Sequence, residues 1–139
     1  MINKIEVSWK GKMLFESVTD EGSVLIDADE VVGGQGKGLR PKKMMLTSLA
    51  GCTAMDVISL LKKMRAEVAN FNVLVEANLT DEHPKYYDKV HVTYQFFGSD
   101  FKKDKIEKSV NLSVERYCGV MEMFRQFAKV TTEIKYINQ

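Results

Sequence analysis

The sequence has few of the residues that cross-link small domains or bind metals. Among its 139 residues are two cysteines, two prolines, two histidines and one tryptophan. Cys52 and Cys118 are 66 positions apart, and no Cys-x-x-Cys pair exists. Zinc sites usually draw their ligands from closely spaced pairs, so the spacing predicts no metal site. A chain of this length can bury a core without a disulfide or a metal, and we expect one domain over residues 1–139.

The sequence also lacks an excess of charge and a long apolar run. The formal net charge is +1, so the chain lacks the excess of positive charge that binds nucleic acid or an anionic membrane. The longest mostly apolar stretch, residues 44–55, falls short of the roughly 18 residues that a bilayer span requires. The N-terminus alternates and has no apolar signal-peptide core. We therefore expect a cytoplasmic protein with reduced cysteines and neither nucleic-acid nor membrane partners.

A nucleotide-binding loop is also missing. Residues 33–38 read Gly-Gly-Gln-Gly-Lys-Gly, which resembles a phosphate loop only superficially. A Walker loop needs Ser or Thr after its Gly-Lys pair, and Gly38 follows Lys37 here. The segment is predicted to be a mobile connector, and no cofactor is expected.

The pattern of apolar residues predicts an α+β fold. Period-two alternation, typical of strands, predicts six of them, at residues 5–9, 13–18, 24–28, 70–80, 90–96 and 130–137. A long helix is predicted from Pro41 to Arg65. A second is predicted from a cap at Asp100 to Tyr117, ended by Gly119, and a short third helix follows. The order is βββ-α-ββ-αα-β, with the strands in antiparallel runs separate from the helices.

The long central helix is apolar on nearly every side. A helix of this kind is buried on nearly every side, and the two other modest helices offer little cover for it. We therefore predict a homodimer with a shared core and with chemistry at or near the interface.

The residues alone leave two interpretations of the cysteines open. Free cysteines are most often inert core residues. Against this, Gly51 stands beside Cys52 in mid-helix, where glycine costs about 1 kcal/mol relative to alanine. Either something approaches the helix closely at Gly51, or the helix breaks there. Cys118 lies at a junction between two predicted helices rather than within an apolar face.

Four motifs together resemble the OsmC family of osmotically inducible and organic-hydroperoxide-resistance proteins. They are Leu39-Arg40-Pro41, the run Leu49-Ala50-Gly51-Cys52-Thr53-Ala54-Met55-Asp56-Val57, Glu82-His83-Pro84 and Glu115-Arg116-Tyr117-Cys118. The resemblance extends through almost the whole chain. It implies an intertwined α+β homodimer with two active sites built from both subunits. It also implies a thiol peroxidase that reduces organic hydroperoxides to alcohols.

The resemblance assigns a role to each cysteine. Cys52 matches the peroxidatic cysteine, whose thiolate attacks the peroxide and becomes a sulfenic acid. Cys118 matches the resolving cysteine, which forms a disulfide with it before an external dithiol reductant resets the pair. Four apolar residues flank Cys118 and are predicted to bind the apolar part of the substrate: Met121, Met123, Phe124 and Phe127.

The sequence departs from the family at the groups that activate the thiolate. Hydroperoxide-resistance members place an Arg after a Gly in the first hairpin and a Glu after the Pro that starts the helix. Lys12 and Lys42 stand at these positions here. We favour Lys12 as the activating cation, with the N-terminus of a helix broken at Gly51 as another device. The alternative function is a non-catalytic redox sensor or a small-molecule-binding dimer. Asp56, on the same helical face as Cys52, is interpreted as a structural hydrogen-bonding group.

Overall fold

The computed structural model describes all of residues 1–139, and its backbone has the predicted order of strands and helices. The strands are β1 (Val7–Trp9), β2 (Phe15–Val18), β3 (Ser23–Ile26), β4 (Asn70–Leu79), β5 (Tyr87–Gly98) and β6 (Lys129–Asn138). The helices are α1 (Pro41–Lys63), α2 (Lys103–Leu112) and α3 (Gly119–Arg125). The chain divides into two compact units, Met1–Met45 and Leu46–Gln139.

The first unit contains a small antiparallel sheet in the order β1-β2-β3. Its strands are short, and β1 pairs with β2 through only three residues, Val7 to Trp9. The alternation predicted that β1 is half-buried. That prediction is wrong for the single chain, since Val7, Ser8 and Trp9 are all exposed.

The glycine-rich segment after β3 is a loop that hydrogen bonds attach to a buried acid. The buried carboxylate of Asp27 accepts hydrogen bonds from the backbone N–H groups of Ala28, Gln35 and Lys37. These donors, that of Lys37 foremost, lower the pKa of the Asp27 carboxyl. A Cβ at Gly34 would overlap the backbone of Ala28. The glycine content here therefore reflects close backbone packing around a buried acid.

Helix α1 is continuous through Gly51, so of the two explanations offered for this glycine the helix break is wrong, and Cys52 does not lie at a helix N-terminus. Its buried residues recur every fourth position and form one stripe: Leu49, Thr53, Val57 and Leu61. The opposite side is not covered within the chain, because Met55 is 71% exposed and Ile58 is 48% exposed. Burial on nearly every side is therefore not achieved by a single chain.

By length and composition alone, α1 is also long and apolar enough to cross a membrane. The mostly apolar stretch of residues 44–55 is only part of this helix, which extends over 23 residues. This is weak evidence for a span, because the core helix of a soluble protein meets the same criterion.

The second unit is built on a three-stranded sheet in the order β4-β5-β6. β4 and β5 form the predicted antiparallel hairpin. β6 runs parallel to β5, from Lys89 opposite Lys129 to Gly98 opposite Asn138, which corrects the expectation of antiparallel strands only. Alternate residues of β5 enter the core with the helices of this unit: Val90, Val92, Tyr94 and Phe96.

The predicted helix from Asp100 to Tyr117 is two elements. Asp100 has a positive φ of 54° and precedes the helix, and Lys102 is the residue at the N-cap of α2. After α2 the chain widens into a π-helical segment, Ser113–Tyr117. Gly119 does not end this helix but begins α3, with Cys118 as the N-cap residue of α3.

Candidate functional site

The fold of the second unit brings the two cysteines together with one carboxylate. Cys52 and Asp56 are one helical turn apart on α1, and Cys118 follows the π-helical segment. The two sulfur atoms and a carboxylate oxygen of Asp56 all lie within 4.8 Å of one another. Both cysteines are free thiols. Two thiols this close can form a disulfide through side-chain rotation and small backbone shifts.

The two thiols have different environments. Cys52 is half-buried, whereas Cys118 is only 4% exposed. Burial raises the pKa of the Cys118 thiol to about 12, and the neighbouring Cys52 thiol adds to the rise. The backbone N–H of Met121 donates to the Cys118 Sγ at 3.3 Å, which acts in the opposite direction. Cys118 is therefore protonated at neutral pH, and Cys52 is the more accessible of the two sulfurs.

A chain of buried hydroxyl groups lies behind the cluster. Thr53 is fully buried, and its Oγ1 lies 2.7 Å from the hydroxyl of Tyr94 and 2.7 Å from Oγ of Ser113. Ser113 in turn donates to Oδ2 of Asp56 at 3.0 Å. Burial raises the pKa of Tyr94 to about 12, so its hydroxyl keeps its proton.

The carboxylate fixes the direction of this chain. Each hydroxyl has one proton to donate, and an ionised carboxylate only accepts. With Ser113 donating to Asp56, Thr53 donates to Ser113 and Tyr94 donates to Thr53. The predicted hydrogen-bonding role of Asp56 is confirmed, and the chain ties the cysteine-bearing turn of α1 to β5 and to the π-helical segment.

The sequence pattern did not single out Ser113, Thr53, Tyr94 or one cation of α3. The cation is Arg125 of α3, which donates to the carbonyl of Val114 in the π-helical segment and forms an ion pair with Glu122 at 2.9 Å. No local motif marks these residues, because their contacts join β5, α1, the π-helical segment and α3. The only available signal was the position of Asp56 one turn after Cys52.

The four predicted substrate-binding residues are divided between the core and the surface. Met121 and Phe124 are fully buried in the core of the second unit. Met123 and Phe127 are exposed, although the ring of Phe127 packs 4.9 Å from that of Phe124. The buried pair presents no surface to a ligand in the single chain, and the binding role of all four stays a prediction.

The two lysines that replace the family's Arg and Glu are both exposed and lie in the first unit. Lys12 is in the turn between β1 and β2 with a positive φ of 49°, and its carbonyl accepts from the indole of Trp9. Lys42 is in the first turn of α1, ten residues or about 15 Å along the helix from Cys52. The role of Lys12 in activating the thiolate stays a prediction.

Comparison with known proteins agrees with this architecture. The family model described as OsmC-like protein matches residues 34–133. Protein YhfA of Escherichia coli strain K12 is 29% identical over 127 residues, covering 90% of this chain and 91% of its own. The crystal structure of a hypothetical protein from Aquifex aeolicus is 28% identical and superimposes with a TM-score of 0.81 over 98% of both chains.

A more distant solved structure shares the fold. It is an organic hydroperoxide resistance protein OsmC from Legionella pneumophila, 14% identical, with a TM-score of 0.69 over 97% of this chain and 98% of its own. The family model covers both the segment with Cys52 and the segment with Cys118. The chain belongs to the OsmC-like protein family.

Proposed function

We propose that this protein is a cysteine-based peroxidase that reduces organic hydroperoxides to alcohols. The observation that carries the proposal is the meeting of Cys52 and Cys118, 66 positions apart in the chain, within 4.8 Å of one another. A half-buried thiol beside a buried thiol is the arrangement that a two-cysteine peroxidase requires. The naming of several structural neighbours as hydroperoxide resistance proteins supports the same reaction class.

The difference in exposure between the thiols supports one order of events. The thiolate of Cys52, the accessible sulfur, attacks one peroxide oxygen, and the O–O bond breaks. The alkoxide takes a proton and leaves as the alcohol, and Cys52 becomes a sulfenic acid. Cys118 then attacks the sulfenic sulfur, and its proton leaves with the hydroxyl group as water. An external dithiol reduces the resulting disulfide and is itself oxidised.

The homodimer is part of the proposal, because the exposed side of α1 needs a partner. Met55 and Ile58 line an open apolar groove of about 720 Å³ that also includes Ala54 and Phe71. A Cβ at Gly51, on the same helix, would meet nothing within 4 Å in the single chain. A second copy that covers this face would remove a large apolar surface from water.

A reducing compartment follows from the reaction. The cycle ends only when a dithiol restores both thiols, and cytosolic thiol systems supply such reductants. We therefore propose a cytoplasmic location, with the organic hydroperoxide and the dithiol as partners and with no nucleic-acid or membrane partner.

The test separates the two cysteines. Purified reduced protein is mixed with cumene hydroperoxide or with hydrogen peroxide, and free thiols are counted over time with and without a dithiol. We expect wild type to turn over with the dithiol. Cys118→Ser should consume one equivalent and leave a trappable sulfenic acid at Cys52, and Cys52→Ser should consume none.

Two results would contradict the assignment: equal behaviour of the two variants, or trapping of the sulfenic acid at Cys118. One oxidation without turnover in the presence of a dithiol would instead indicate a redox sensor.

A further inference from the structure

Cys52, Asp56 and Cys118 bring together three atoms of types that ligate metals, a grouping that sequence spacing did not indicate. It combines one helical turn of α1 with a residue from another part of the chain. Its donor atoms are two sulfurs and one carboxylate oxygen within 4.8 Å of one another. Two soft thiolates and one oxygen favour zinc and related thiophilic ions over magnesium or calcium, which prefer all-oxygen sites.

The separations of the three ligand atoms can be compared with those in a tetrahedral site. With Zn–S near 2.3 Å and Zn–O near 2.1 Å, tetrahedral angles place the ligand atoms about 3.6–3.8 Å apart. From separations of at most 4.8 Å, the three atoms must therefore approach by no more than about 1.2 Å, and two of the three side chains, those on α1, are only half-buried. Three ligands leave the fourth position to water or to a small solute.

The surroundings already orient two of the three ligands. The hydroxyl of Ser113 donates to Oδ2 of Asp56 at 3.0 Å, which holds the carboxylate in place. The backbone N–H of Met121 donates to the Cys118 sulfur at 3.3 Å. Hydrogen bonds of this kind to ligating groups are the usual second layer of metal sites.

The charge of the site also suits a dication. Cysteine ligates a metal as the thiolate, so a bound divalent ion displaces the thiol protons and offsets the negative charge of the three clustered ligands. Two thiolates and a carboxylate with one dication leave a net charge of −1.

We propose that the reduced protein binds one zinc-class divalent cation per chain through Cys52, Asp56 and Cys118. Metal binding and disulfide formation then exclude each other, because both use the same two sulfurs. Binding itself stands on the geometry of the reduced site. Only the consequence, that bound metal blocks the reaction with hydroperoxide, rests on the proposed peroxidase function.

The experiment uses Cd²⁺ as an optical probe and Zn²⁺ in competition with a chromophoric chelator. Reduced, metal-free wild type should show a thiolate-to-cadmium charge-transfer band that saturates at one equivalent per chain. Cys52→Ser and Cys118→Ser should each lose at least about 100-fold in affinity, and Ser113→Ala about tenfold. Asp56→Asn keeps an oxygen for Ser113 and should weaken binding, whereas Asp81→Asn, in the turn after β4, is the matched control and should not.

Wild type oxidised to the disulfide needs no substitution, so it tests the proposal even if a variant fails to fold. It should not bind either ion, and reduction should restore binding. No band at one equivalent, unchanged affinity in both cysteine variants, or equal binding by the oxidised protein would overturn the proposal. Peroxidase turnover is measured separately in chelator, so a failure of that activity is distinguishable from a failure to bind metal.

Discussion

Replacing Thr53 by valine tests whether the buried hydroxyl chain holds the cysteine-bearing turn of α1. Valine keeps the size of the side chain but removes the hydroxyl that contacts Tyr94 and Ser113 at 2.7 Å each. The hydroxyl of Tyr94 would then be a buried donor without an acceptor, which costs about 1–3 kcal/mol. The lost bond to Ser113 adds about 1 kcal/mol. We expect Thr53→Val to lower the free energy of unfolding by about 2–4 kcal/mol.

A double-mutant cycle isolates the contribution of the unsatisfied hydroxyl. Tyr94→Phe removes one hydrogen bond but leaves Thr53 free to donate to Ser113, so it should cost only about 1 kcal/mol. The double variant has no unpaired donor at position 94. It loses two hydrogen bonds, which should lower the free energy of unfolding by about 2 kcal/mol in all. The double variant should therefore be less destabilised than the sum of the single variants, by about 1–3 kcal/mol.

The measurement is urea denaturation at one fixed protein concentration, because the stability of the proposed dimer would depend on the concentration of its subunits. Equal denaturant slopes would show that the variants unfold from the same compact state. A Thr53→Val variant within about 0.5 kcal/mol of wild type, or a strictly additive cycle, would refute the proposed chain of donors.

Four further predictions concern other parts of the molecule. Burial raises the pKa of Cys118 to about 12. The stability that the protonated thiol contributes is therefore present below the ordinary thiol pKa near 8.5 and is lost as the pH rises towards 12. Cys118→Ala should reduce this alkaline loss of stability in denaturation curves. Met55→Lys, at a residue 71% exposed in the single chain, should shift sedimentation towards a monomer, and an unchanged dimer would contradict this. Asp27→Ala removes the acceptor of three backbone donors, so amide exchange in residues 28–38 should accelerate. Lys12→Met should slow sulfenic acid formation without unfolding the protein, and an unchanged rate would exclude this lysine from the site.

The order and type of the elements could be predicted because they depend on local pattern. Period-two alternation in β4 and β5 is a property of neighbouring residues, and both strands are observed as a hairpin. The long α1 follows from a run of helix-forming residues after Pro41. Prediction failed where local rules compete. The chain leaves α-helical geometry at Ser113 and begins again at Gly119, although glycine near a helix end usually indicates termination.

The way in which the loop after β3 is held in place also depends on tertiary contacts. Its glycines suggested mobility, but one buried acid, Asp27, collects three of its backbone donors. Hydrogen bonds between residues up to ten positions apart leave no periodic trace in the sequence.

The sequence by itself determined the class of the fold, and the family resemblance predicted Cys52 and Cys118 as the catalytic pair. It also determined that Asp56 shares a helical face with Cys52, since a spacing of four is one helical turn. Only the tertiary structure placed Cys118 within 4.8 Å of both and buried it. Distance across the fold and exclusion of water are properties of packed elements, and these properties make one thiol accessible, keep the other protonated and complete a set of metal ligands.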